Sequence, residues 1–191
     1  MKPCILVKHT GEIKLLAIHY RKILLLSLLS GLVVSCAHQE SSVYRDDNIY
    51  AALDAEPELM QIVLKKKNNE LSDKEVPVWR AIGFLGTPYK FGANTDEQID
   101  CSAFIQRIFK DIKSLERTSY GQFLQLRRNA KLKPEKGDLV FFKTSNYNPV
   151  TYVGIMFSPT KFIHASTSQG VVSVGDLNQK YWRKNPQCQV I

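Results

Sequence analysis

Ile99-Asp100-Cys101-Ser102-Ala103-Phe104-Ile105-Gln106-Arg107-Ile108-Phe109-Lys110-Asp111-Ile112 is the stretch on which the reading of the fold turns. From Cys101 onward the apolar residues fall at 104, 105, 108, 109 and 112, one face at a 3.6-residue period, which predicts an amphipathic helix. Asp100 is a good N-cap type, so Cys101 falls in the first turn. There the unpaired N–H groups and the helix dipole are expected to favour thiolate over thiol. A thiol nucleophile is commonly prepared in this way. The competing reading is a small buried residue that fills packing.

Outward from this helix the period changes along the chain. On the N-terminal side, Leu59 to Leu64 begins a helical pattern that ends in Lys65-Lys66-Lys67-Asn68-Asn69, a solvated face or a phospholipid contact. Ser72-Asp73-Lys74-Glu75 reads as a helix start, with Val78, Trp79, Ile82 and Phe84-Leu85 on its apolar face and Gly86-Thr87-Pro88 as its end. On the C-terminal side a second helix is expected over Ser119 to Arg128. Asp138–Lys143, Tyr152–Phe157, Lys161–Ser166 and Gly170–Val174 then read as strands divided by short turns, hence an antiparallel sheet. Helices first and strands after make the fold class α+β.

The chain has 191 residues, enough for one domain with a real core plus a tail. Apolar content of 44% and charged content of 23% fit a globular class. The formal charge is +8, but residues 1–35 carry five basic and one acidic residue, so half the excess belongs to the leader. That weakens the case for a nucleic-acid partner, and none is expected. Arg21 and Lys22 precede a 13-residue apolar run, Ile23 to Ser35, too short to span a bilayer comfortably and suited to a signal peptide. Residues 1–20 make an unusually long start to it, which a misassigned first codon would explain. Residues 36–70 read as a polar tether with a short helix, and the folded domain as 71–191. Clustered Cys and His ligands are lacking, so no metal or cofactor is expected. Cys188 reads as a buried or free thiol; a bridge to Cys101 would silence a nucleophile.

Several stretches, taken in order, resemble the NlpC/P60 family of cell-wall cysteine peptidases: Gly86-Thr87-Pro88-Tyr89-Lys90-Phe91-Gly92, Asp100-Cys101-Ser102, Arg117-Thr118-Ser119, Gly137–Phe142, Val153-Gly154-Ile155 and Lys161–Ser166. The resemblance implies a papain-like fold, with the nucleophile helix packed on a small antiparallel sheet. It implies hydrolysis of a peptidoglycan stem peptide, typically between D-glutamate and a diamino acid. By it Cys101 is the nucleophile, Tyr89 lines the site or its oxyanion pocket, and Asp100 and Ser102 contact the amino-terminal end of the stem or simply cap the helix. Val33-Val34-Ser35-Cys36 resembles a bacterial lipobox. That implies lipid on Cys36, a membrane attachment, and, with Ala37 after it, the outer membrane facing the periplasm.

One departure stands out. The family's base is a histidine just before Val-Gly-Ile, and here that position is Tyr152. His164 matches the third, orienting position and is the only histidine after His38. Three readings stay open: a working relay through His164 or the Tyr152 hydroxyl, a stem-peptide binder that no longer cuts, or a single-codon variant of an active enzyme. A tyrosine with an ordinary pKa of about 10 is a poor base near neutrality.

Overall fold

The computed structural model describes residues 45–131, 133–144 and 150–184, and the backbone of 187–190. The leader and Cys36 lie outside the described residues.

Among the described residues six helices and five strands follow one another: α1 (45–55), α2 (Pro57–Lys67), α3 (Glu75–Ile82), α4 (Cys101–Ile108), α5 (Ser119–Leu126), a 3-10 turn (Arg127–Asn129), β1 (Leu139–Phe142), β2 (Tyr152–Met156), β3 (Lys161–Ala165), β4 (Val172–Asp176), α6 (Lys180–Lys184) and β5 (Gln187–Val190). The strands form one antiparallel sheet in the order β4-β3-β2-β1-β5. All residues of β1 and β2 are buried, which is why both read as continuous apolar runs rather than an in-out alternation. Side chains still alternate between faces. Phe142 pairs with Tyr152, and His164 lies beyond them on β3. Trp182 of α6 covers this face, its ring centroid 4.4 Å from Phe142, 5.1 Å from Phe162 and 5.2 Å from His164. On the opposite face Phe123 of α5 meets Phe141 edge-on at 5.7 Å. Helix α4 lies against β2 and β3.

Two glycines are required by close approach. A Cβ on Gly154 would come within 2.7 Å of the Phe162 ring, so the Val-Gly-Ile triplet leaves room for that ring across β2. Gly137 has φ +87°, and a Cβ there would sit 2.5 Å from the Lys74 carbonyl.

The sequence reading needs three adjustments. Residues 45–70, expected to be mainly tether, form α1 and α2, and Leu59 and Ile62 are fully buried in the core. The helical pattern read from Leu59 to Leu64 corresponds to α2, whereas the polar composition of 45–55 concealed α1. With Ser72 as its cap the helix would open at Asp73, whereas α3 begins at Glu75. The expected Ser72–Glu75 pairing is present, with the Ser72 N–H and hydroxyl both donating to Glu75 Oε2, but it closes the turn before the helix. Strand β4 starts at Val172, because the bond from Ser166 N–H to the Val171 carbonyl and that from Gly170 N–H to the Ser166 carbonyl hold the preceding residues in a turn.

Candidate active site

Asp100 has extended backbone and caps α4. Its Oδ1 accepts the Ala103 N–H at 2.7 Å. Its carboxylate does far more than cap. Oδ1 also accepts from the Ser102 hydroxyl and Arg117 Nη1, and Oδ2 accepts from Arg117 Nη2 at 2.7 Å and the Gly92 N–H. Arg117 in turn donates to Ser102 Oγ and to the Gly92 carbonyl. This two-pronged ion pair ties the loop of residues 90–99 to the start of α4. Burial would raise the Asp100 pKa, but Arg117 and the helix N–H hold it below the ordinary carboxylate range. No periodicity points to Arg117 as the partner, seventeen residues on from the acid.

Cys101 is therefore the first residue of a firmly placed helix. It is a free thiol, 9% exposed, at the floor of a cleft of about 900 Å³. The same cleft is lined by Tyr89, Asp100, Ser102, Tyr152 and His164. The structure thus brings every site residue read from the domain's sequence around one hollow.

The expected thiolate is not what the environment favours. Burial, and then the neighbouring Asp100 carboxylate, push the Cys101 thiol up to about 12, against the pull of the N–H groups of Val153, Ser102 and Cys101 itself. The helix-terminus effect falls short because the sulfur is desolvated and an anion is the adjacent residue.

Across the cleft, the Tyr152 hydroxyl lies 2.6 Å from His164 Nδ1 and donates to the Ala165 carbonyl at 2.5 Å. A hydroxyl has one proton. With that proton on a carbonyl that can only accept, the neutral imidazole must donate from Nδ1, leaving the lone pair on Nε2. The Thr167 N–H turns toward the same oxygen. The proton and one lone pair of the Tyr152 oxygen are therefore engaged. Burial, reinforced by Cys101, pushes its phenol well above the ordinary tyrosine range. Burial also pushes the His164 imidazole down to about 3, so this ring is neutral near pH 7. Among the described residues no group of three or more His, Cys, Asp or Glu side chains could hold a metal ion.

A cysteine at the mouth of a helix, laid on an antiparallel sheet that presents a histidine, defines a papain-like α+β fold. The model of the NlpC/P60 family matches residues 86–190, and the chain belongs to that family. It is 39% identical over 103 residues to a Haemophilus influenzae protein named probable endopeptidase NlpC homolog, covering 53% of each chain. It is 37% identical over 101 residues to the Escherichia coli murein DD-endopeptidase MepS/murein LD-carboxypeptidase, covering 52% of each. The chain thus spans about half the length of these curated relatives. Among solved structures, NlpC1 from Trichomonas vaginalis superposes with a TM-score of 0.54 at 30% identity, over 62% of this chain and 43% of that one. An NLP/P60 family protein of Staphylococcus aureus, described as similar to lipoprotein, gives 0.52 at 28% identity, over 63% and 43%.

Proposed function

We propose that this chain hydrolyses peptide bonds in peptidoglycan stems, with Cys101 as nucleophile. The observation that carries the reading is the sulfur at the first turn of α4, on the floor of a cleft shared with Tyr152 and His164. Attack forms a carbon–sulfur bond and a tetrahedral oxyanion, for which the Cys101 N–H is a donor and Tyr89 a neighbour. Collapse breaks the carbon–nitrogen bond as the proton taken from the thiol passes to the leaving amine, and water then hydrolyses the thioester, releasing the acid and returning a proton to the sulfur. The proton from the thiol is the difficult step. The Tyr152 hydroxyl is committed to the Ala165 carbonyl and His164 Nδ1 and is a poor base, and a thiol near 12 gives its proton up reluctantly. His164 Nε2 is the remaining basic atom of the pair, and the enzyme is slow. The bond is that between D-glutamate and a diamino acid, as the family resemblance implies. Residues 1–35 serve as a signal peptide, Cys36 carries lipid, and the domain works in the cell envelope.

The Tyr152 hydroxyl, bound to His164 and the Ala165 carbonyl where the family has its base, favours a second reading, a domain that holds stem peptides without cutting them. One assay separates the two. Muropeptides are incubated with the protein, and new amino groups are followed by fluorescence labelling and mass spectrometry. Hydrolysis that disappears in Cys101→Ala supports the enzyme. Retention on sacculi with no release, unchanged by Cys101→Ala, supports the binder and overturns the enzyme.

A further inference from the structure

Ser114, Leu115 and Glu116 lead to Arg117, and the backbone carbonyl of each is held by a glutamine amide. Gln125 Nε2 donates to Ser114, Gln106 Nε2 to Leu115 and Gln122 Nε2 to Glu116, each at 2.8 Å. Gln125 is exposed and Gln106 half-buried, but Gln122 has no accessible surface. Its Nε2 also donates to the Ser102 carbonyl at 2.9 Å, so it joins the loop before Arg117 to the first turn of α4. Both acceptors are carbonyl oxygens, which fixes the amide with its NH₂ toward them and Oε1 away. Among the described residues Oε1 finds no donor. A buried acceptor left without a donor is a cost that methionine, of similar size and shape, would avoid. Packing alone therefore does not account for a glutamine here.

The amide closes a ring. The peptide between Ser102 and Ala103 is gripped at both ends, its carbonyl by Gln122 and its N–H by Asp100 Oδ1 at 2.7 Å. Asp100 is held by Arg117 through both carboxylate oxygens. Arg117 follows Glu116, whose carbonyl returns to Gln122. Tilting any one member lengthens a bond elsewhere in the ring. The turn enclosed is the one whose Cys101 and Ser102 N–H groups face the sulfur. Gln122 itself does not line the cleft.

We infer that Gln122 is a positioning residue: by bonding the Ser102 and Glu116 carbonyls together, it fixes the first turn of α4 so that the Cys101 and Ser102 N–H groups stay aimed at the sulfur. Its consequence for hydrolysis rests on the stem-peptide reading above; its consequence for the thiol does not.

The test compares Gln122→Met, Gln122→Glu and Gln125→Met with the parent, all in the full chain. Alkylation by iodoacetamide is read at Cys101 by peptide mass spectrometry between about pH 8 and 10, with the urea midpoint as the measure of stability. Misaligned N–H groups lower the thiolate population about tenfold, the lower end for one hydrogen bond to a charged group. The more basic sulfur regains about threefold at a Brønsted slope of about 0.5, so alkylation in Gln122→Met falls about threefold. Gln122→Glu, whose buried carboxyl stays protonated and keeps one donor, falls by less. Gln125→Met also removes two bonds to the loop, from the Ser114 carbonyl and the Glu116 N–H, yet leaves the Cys101 rate at the parent's value. In muropeptide hydrolysis Gln122→Met loses kcat with KM unchanged. Unchanged or faster alkylation in Gln122→Met, or an equal fall in Gln125→Met, overturns the positioning role. Should Gln122→Met not fold, an unchanged rate in Gln122→Glu overturns it instead. A parent that hydrolyses nothing overturns the enzyme reading alone, and the alkylation rates still decide this inference.

Discussion

Replacing Tyr152 with histidine tests the chemistry of the site most directly. The substitution returns an imidazole to the residue before Val153, whose own N–H faces the Cys101 sulfur. A thiol held at about 12 is ionised at pH 7 in roughly one molecule in 100,000, since each pKa unit is a factor of ten. An imidazole that shares the proton brings the effective pKa to about 7 and raises the thiolate population by about 10⁵. The less basic sulfur is also a weaker nucleophile. With a Brønsted slope of about 0.5, the five-unit fall costs about 300-fold in intrinsic reactivity. The net gain is about 300-fold, within the 10²–10⁴ range typical of a positioned general base. The cost in stability is about 1–3 kcal/mol, because Tyr152 packs on Phe142 and Trp182 and its hydroxyl bond to Ala165 is lost. Amine release from muropeptides should be followed at pH 7 in the parent and in Tyr152→His, with far-UV circular dichroism to confirm folding. A folded Tyr152→His protein within threefold of the parent would refute the view that proton removal from Cys101 limits the parent.

Tyr152→Phe leaves His164 Nδ1 without its hydroxyl partner in a buried place. It should destabilise the fold by about 1–3 kcal/mol, seen as a lower midpoint in urea, if the hydroxyl is as fully engaged as its contacts indicate. Glu75 gives a pH signature. Burial raises its pKa, but bonds from Lys65, Ser72 and Lys136 outweigh this and hold it at about 2 against 4.5 unperturbed. A carboxylate with a lowered folded-state pKa stabilises fully above the unfolded value and progressively less as pH falls toward the folded one. Thermal stability of the parent should therefore drop between about pH 4.5 and 2, and Glu75→Gln should flatten that drop; an identical slope in both would show that Glu75 is not the group responsible.

How much of this was legible beforehand depended on range. The cysteine helix, its cap and four of the strands follow from local pattern, since the period of apolar residues and the choice of Asp100 are decided within a few positions. Helix α6 and strand β5 were missed, the first because Lys180–Lys184 offers a single apolar anchor, Trp182, in a one-turn segment. The state of the thiol was misjudged for a different reason. A first-turn position argues for thiolate only while the sulfur stays hydrated, and depth is a tertiary property. The bond from Tyr152 to the Ala165 carbonyl, thirteen residues away across two strands, lay beyond any spacing rule. So did the Asp100–Arg117 pair, which gives the candidate substrate contact Asp100 a partner within the chain.

Helix α2 carries a practical lesson for anyone trimming the protein. The family-matched region opens at Gly86, yet Leu59 and Ile62 have no accessible surface, and Lys161 of β3 reaches back 2.6 Å to Glu56. A fragment cut at the homology boundary would bare the hollow those two side chains fill and strand a lysine beside it. Poor solubility in such a fragment would then reflect the choice of scissors rather than any frailty of the family-matched region.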